Sequence, residues 1–184
     1  MPFNFRWLKD IQPSDASKLK QLLTASIQDD GMLGFDESDS AMIDDFLTQL
    51  AAKRAGQISQ VLLIEDGRSG QAAATVVFTQ VAHKTSRHLA ELSKVIIAPG
   101  FRGTGLLQAG LDEVCQKALS LGVSRFFFDV REGTASAKLW HALGFETYGR
   151  LADYSHYKGE THAGLFMTAS IEDLRARSLT KKGN

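Results

Sequence analysis

The chain has 184 residues, enough for one sizeable core and short for two domains. Its 21 basic and 21 acidic side chains cancel, so no overall charge draws it to nucleic acid or an anionic membrane. The single cysteine, Cys115, excludes an intramolecular disulfide, and no apolar run approaches the length of a membrane span. The N-terminal run MPFNFRWLKD also lacks the apolar core of a signal peptide, so the expectation is one cytoplasmic domain, 1–184, with neither nucleic-acid nor membrane partners.

Phe3, Phe5 and Trp7 alternate with Asn4, Arg6 and Leu8, the period-two pattern of a first strand. Pro13 opens a helix that buries Leu19, Leu22, Leu23 and Ile27 and stops at Asp29-Asp30-Gly31. An acidic loop reaches Ser40. A second helix, Ser40 to Ala55, follows, with Met42 or Ile43, Phe46, Leu47 and Leu50 inward and Gly56 closing it. Runs at Ile58 to Ile64 and Gln71 to Val81 then read as a hairpin around the turn-rich segment Glu65 to Gly70. A basic loop with His83, Lys84, Arg87 and His88 leads to the most informative stretch.

From Glu91, Leu92, Val95, Ile96 and Ile97 suit a buried strand that Pro99-Gly100 ends. The turn Arg102-Gly103-Thr104-Gly105 opens into a helix whose expected inner face is Leu107, Leu111, Val114, Ala118 and Leu121. A tight glycine turn entering a helix N-terminus offers unbonded N–H donors and partial positive charge, a cradle for a phosphate-bearing cosubstrate. A P-loop is excluded because no Gly-Lys-Ser/Thr ending occurs, and the Leu106-Leu107 run supplies no third glycine for a dinucleotide fingerprint. Ser124 to Val130 reads as a central parallel strand and Thr134 to Leu143 as a helix stopped by Gly144. Phe145 to Leu151 and Gly164 to Ala169 read as an antiparallel pair around a polar loop, Ala152 to Ala163. A helix from Ile171 frays into the basic end at Lys181.

The pattern Glu91-Leu92-x-x-Val95-x-Ile97-x-Pro99-x-x-Arg102-Gly103-x-Gly105 resembles the acetyl-CoA-binding core of the GCN5-related N-acetyltransferase superfamily. Phe128-Asp129-Val130-Arg131, followed by Ala137-Lys138-Leu139-Trp140 and Gly144-Phe145, is similar to that superfamily's second half. The order of elements agrees as well. His88 to Glu91, Gly133-Thr134 and Asp153-Tyr154 also look similar to tabtoxin-resistance-type acetyltransferases. The resemblance implies a mixed α/β fold, mostly antiparallel and flanked by helices, with a cosubstrate-binding core over about residues 89–149. It further implies acetyl-CoA as cosubstrate and acetyl transfer to a primary amine of a small molecule by direct attack in a ternary complex. Homodimerisation is common in the superfamily and has no signal in this sequence.

Mapped onto this chain, the resemblance assigns Val95, Ile96 and Ile97 to the pantetheine arm. It assigns Arg102, Gly103, Thr104, Gly105, Leu106, Leu107 and Gln108 to the pyrophosphate, chiefly through N–H groups. Trp140 falls where the family often carries a tyrosine that protonates the departing thiolate, and an indole cannot supply a proton as a phenol does. His141, Tyr148, Tyr154 or solvent are the other sources. Leu107 stands where the family prefers a small residue.

Glu91 is the candidate general base, since an alkylammonium must lose its proton before attacking. The competing reading is a strand residue paired with Lys94 or Arg87. Asp129 and Glu132, at a strand end, could orient an amine or simply be solvated. The five histidines lack zinc-ligand spacing, so no metal is expected, and Cys115 reads as packing. Two alternatives stand beside the small-molecule enzyme: an acyl-CoA-binding regulatory module with little turnover, and a protein or peptide N-acetyltransferase.

Overall fold

The computed structural model describes residues 2–28 and 40–182, and its contacts divide into two compact units, residues 1–80 with 92–114 and residues 81–91 with 115–184. The acidic loop expected at Asp29 to Asp39 lies outside the described residues.

The first unit contains β1 (Phe3–Trp7), α1 (Pro13–Gln28), α2 (Ser40–Ala55), β2 (Ser59–Asp66) and β3 (Ala72–Gln80). It also holds β4 (Leu89–Ile97) from Leu92 onward and α3 (Leu106–Ser120) as far as Val114. β1 pairs antiparallel with β2, Phe3 opposite Asp66, and β2 pairs antiparallel with β3, Ser59 opposite Thr79. Every residue of β2 is buried, as expected of a strand covered on both faces. One face, with Val61, Leu63, Val77 and Ile96, packs on Leu19, Leu22, Leu23 and Ile27 of α1 and Ile43, Leu47 and Leu50 of α2. Each such leucine contributes roughly 1.5–3 kcal/mol by leaving water. The other face meets α3 so closely that a Cβ on Gly110 would lie 3.2 Å from Ile64 Cδ1. Trp7 stands edge-on to Phe78 there, and its indole N–H donates to Glu113 Oε1 at 2.8 Å.

A charged seam joins β1, β2 and α1. Arg6 donates to Asp15 Oδ1 at 2.5 Å and to Glu65 Oε2 at 3.2 Å, and Lys18 donates to Glu65 Oε1. Burial alone would raise the Glu65 pKa, but the hydrogen bonds from Lys18 and Arg6 outweigh it and hold the carboxyl below its usual range.

The second unit contains the first three residues of β4, the rest of α3, β5 (Arg125–Arg131), α4 (Ala135–Leu143), β6 (Glu146–Tyr157), β7 (Glu160–Ser170) and α5 (Ile171–Lys182). β4 and β5 are parallel over three pairs, Leu89 with Arg125, Ala90 with Phe126 and Glu91 with Phe127. β5 pairs antiparallel with β7, and β7 with β6. Thr134 caps α4, its hydroxyl oxygen accepting from the Ala137 N–H at 3.1 Å, and left-handed Gly144 ends the helix. Phe126, Phe128, Met167 and Ala169 form the buried face with Ala137, Ile171 and Leu174. The rings of Phe128, Trp140 and Phe145 meet pairwise with centroids 4.8–5.2 Å apart.

The hydrogen-bonded strand order is β1-β2-β3-β4-β5-β7-β6. Antiparallel registers at β1–β2, β2–β3, β5–β7 and β6–β7, with a parallel one at β4–β5, agree with the mixed, mostly antiparallel sheet expected.

Two local expectations are corrected. The segment Ala152 to Ala163 is not a loop, because β6 and β7 run through it to a two-residue turn. Lys158 and Gly159 take φ of +52° and +79° there, the left-handed pair that suits a tight hairpin. The inner face of α3 is Leu106, Leu111, Val114, Cys115 and Ala118, whereas Leu107 is only half-buried and Leu121 is 39% exposed. The helix begins at Leu106 and ends at Ser120, so Leu121 lies in the following turn.

Candidate active site

The cradle is built from backbone. β4 ends at Ile97, and a single 3-10 turn, Pro99–Phe101, leads to Arg102. Gly103 and Gly105 have φ of +73° and +80°, which side-chain-bearing residues adopt at a cost of roughly 1–2 kcal/mol. A Cβ on either glycine would find no atom within 4 Å, so the space in front of this turn is open. The Thr104 hydroxyl braces the turn by donating to the Phe101 carbonyl at 2.7 Å, and Arg102 Nε donates to the Ile97 carbonyl at 3.3 Å. The first bond of α3 runs from the Ala109 N–H to the Gly105 carbonyl at 3.1 Å. The N–H groups of Leu106, Leu107 and Gln108 precede it, as the opening donors of any helix do. With the helix dipole behind them, they make a seat for an anion. Leu106 is 2% exposed, so its contribution here is its N–H and not its side chain.

Upstream, Val95 and Ile97 are half-buried while Ile96 is buried, the alternation of a strand with one face turned from the core. Lys94 has φ of +48°, uncommon for a residue with a side chain and a mark of a local break in the strand. Its ammonium lies 5.1 Å from the centroid of Phe46. Nothing in the sequence signals this left-handed lysine.

The remaining site candidates lie in the second unit, on the sheet face opposite its helices and core. Register places Glu91 beside Phe127, Phe127 beside Thr168, and Asp129 beside Phe166, all on this face. Glu91 and Asp129 are exposed and Phe127 and Phe166 half-buried. Among the described residues Glu91 has no ion-pair partner, so the expected pairing with Lys94 or Arg87 is not formed. Tyr154 reaches the same face and donates its phenol hydrogen to Asp129 Oδ2. Burial, then the Asp129 hydrogen bond and charge, push the Tyr154 pKa well above its ordinary 10.0.

The other candidates have structural employment. The His141 Nδ1 sits 3.2 Å from the Phe145 carbonyl, which fixes the proton on that nitrogen, and Nε2 lies 3.4 Å from the Thr147 hydroxyl. Trp140 belongs to the three-ring cluster with Phe128 and Phe145. Tyr148 is 60% exposed, its ring 6.3 Å from that of Phe166. Glu132 forms a forked pair with Arg150, at 3.0 and 2.7 Å, which holds its carboxyl below the usual range. Cys115 is buried, and among the described residues no cluster of potential metal ligands occurs. Among the described residues no helix is long and apolar enough to cross a membrane.

A mixed seven-stranded sheet with a glycine turn opening α3 is the architecture of acyl-CoA N-acyltransferases. The description of the acetyltransferase (GNAT) family matches residues 22–145, and the chain belongs to that family. It is an acyltransferase with acetyl-CoA as its cosubstrate. No curated protein matches the sequence. Among solved structures, a provisionally named phosphinothricin N-acetyltransferase is similar at 17% identity and a TM-score of 0.76, over 92% of this chain and 99% of that one. A provisionally named acetyltransferase, yncA from Salmonella typhimurium with its cofactor acetyl-CoA, follows at 18% and 0.74, over 93% and 95%. The ribosomal-protein-alanine N-acetyltransferase from Brucella melitensis matches at 21% and 0.72, over 91% and 99%. The cradle fits the cosubstrate: its open left-handed glycines and helix-opening N–H groups are the donors a pyrophosphate takes.

Proposed function

We propose that the whole chain works as one N-acetyltransferase domain that acetylates a primary amine of a small molecule by direct attack within a ternary complex. The observation that carries this reading is Glu91, an exposed carboxylate without an ion-pair partner among the described residues, on the strand that leads into the cradle. When bound, acetyl-CoA supplies a thioester whose C–S bond breaks as the amine nitrogen bonds to the carbonyl carbon. Arg102 to Gln108 hold its pyrophosphate, and the half-buried edge at Val95 to Ile97 takes the pantetheine arm. Backbone N–H groups of the same strand steady the oxyanion.

Glu91 takes the proton that the amine must shed, directly or through one water. The nitrogen loses a second proton as the amide forms, and that proton passes through solvent to the departing thiolate. Trp140 has no phenol to offer, His141 is held at both ring nitrogens, and Tyr154 would leave a phenolate beside Asp129. Holding and orienting the reactants supplies the larger part of the acceleration.

The test has two arms. Acetyl-CoA raises the melting temperature by mass action, and no shift at millimolar concentration would sink the binding half. Thiol release is then followed with amino acids, aminoglycosides, polyamines and peptides. Turnover of peptides alone moves the reading to protein acetylation, and binding without any turnover moves it to a regulatory module.

A further inference from the structure

Tyr154 occupies a seat formed by three separate features. Between the pairs Leu151–Gly164 and Ser155–His162, β6 spends residues 152–154 against the single β7 residue 163, a bulge that re-aims the side chains it carries. The Tyr154 ring then lies on Gly164, where a Cβ would fall 2.7 Å from Cδ1 and closer still to Cγ. Phe166 closes the far side edge-on, with centroids 6.3 Å apart at 88°. Only a residue without a side chain admits the ring, and the ring arrives with its hydroxyl on Asp129 Oδ2.

That bond uses one oxygen of Asp129. The residue is exposed on the same face as Glu91, one strand over and two residues further along. By ordinary strand spacing and rise, their Cα atoms stand roughly 8 Å apart, close enough for two carboxylates to address one bound molecule. The cations on this face are engaged elsewhere. Arg131 lies over the Tyr157 ring at 5.8 Å, and Arg125 donates to the Thr168 hydroxyl at 3.3 Å.

We infer that Tyr154 is a positioning residue: it fixes the Asp129 carboxylate so that its second oxygen grips the ammonium group of the acceptor. The inference rests on the amine-acetylation reading above and adds the group that recognises the amine. Tyr154 transfers no proton in this arrangement. Asp129 touches the substrate, Tyr154 touches Asp129, and Gly164 with the bulge admits Tyr154.

Y154F, G164A and D129N are compared with wild type using n-butylamine, L-lysine and spermidine as acceptors. For any of these that turns over, Y154F and G164A raise the KM for the amine about tenfold with kcat little changed, the worth of one charge-assisted hydrogen bond. D129N costs more, Y154F adds nothing to it, and D129E recovers part of the loss. The acetyl-CoA melting shift stays at its wild-type size in all four, which separates this role from a general loss of structure. A second readout needs no acceptor. The chain has three tyrosines, Tyr148, Tyr154 and Tyr157, and in D129N, without the carboxylate's charge and charge-assisted hydrogen bond, the Tyr154 step in the tyrosinate absorbance moves to lower pH than in wild type, while burial still holds it above its ordinary 10.0. An amine that turns over with unaltered KM in Y154F overturns the inference and leaves amine acetylation standing. Equal tyrosine titration in wild type and D129N overturns the pair itself. No turnover of any amine, with the titration difference present, counts against the amine-acetylation reading and against the gripping role, and leaves only the Tyr154–Asp129 contact.

Discussion

In the roles proposed for them, the cradle and the Tyr154 seat each hold a charged ligand, by opposite means. The cradle in the first unit uses main-chain N–H groups, so most of its side chains are free to vary as long as Gly103 and Gly105 remain left-handed. The face in the second unit uses side chains, Glu91, Asp129 and Tyr154, each placed by strand register. A backbone site recognises what every acyl-CoA shares, its pyrophosphate. A side-chain site can be changed residue by residue, which suits the acceptor side proposed for it.

The contrast can be broken by substitution. E91Q should lower kcat about 100-fold, the usual scale for a general base, while acetyl-CoA still raises the melting temperature as in wild type. A rate unchanged across pH removes Glu91 as base. G105V should do the reverse, weakening acetyl-CoA about tenfold and costing roughly 1–2 kcal/mol of stability through its positive φ. Calorimetric titration with acetyl-CoA and a denaturant midpoint check both.

A smaller effect should appear with acid. The folded-state pKa of Glu65 is depressed, so its stabilisation is present above the ordinary value of 4.5 and is lost as pH falls through the lower folded value. Melting temperature should therefore drop below about pH 4.5, and E65Q should lose roughly 1 kcal/mol at neutral pH while flattening that drop. An E65Q acid profile that matches wild type removes the seam as the cause. The smallest change expected is L107A, with acetyl-CoA binding tighter by about twofold or less, since the backbone N–H proposed to meet the anion is kept. A weaker L107A complex would show the leucine to be a contact.

The elements that hold the cradle were legible because their signals are local. Period-two runs, Pro99 as a strand stop and glycines before a helix act over a few residues, and the structure places β4 and α3 accordingly. Where two leucines stood together, the register was not legible. Leu106 and Leu107 are equally apolar, and only packing against the sheet selects Leu106. The acceptor face was harder to read. Asp153-Tyr154 could be noted as a similarity, but the bulge opposite Ala163 depends on pairing between distant segments, and no composition cue marks it. The polarity of Ala152 to Ala163 suggested a loop because the outward face of an edge strand is as polar as a loop. The Glu91 reading needed the register with Phe127 to show which way the side chain points.

Gly164 carries an implication for descent. The Tyr154 ring rests where any other residue would put its first carbon, so the two positions are tied although ten residues separate them. A lineage that gains a side chain at 164 must move or surrender the tyrosine, and one that has lost the tyrosine is released from the glycine. Related chains should trade the two positions together, and the pairs that break ranks should be those whose acceptors no longer carry an ammonium group.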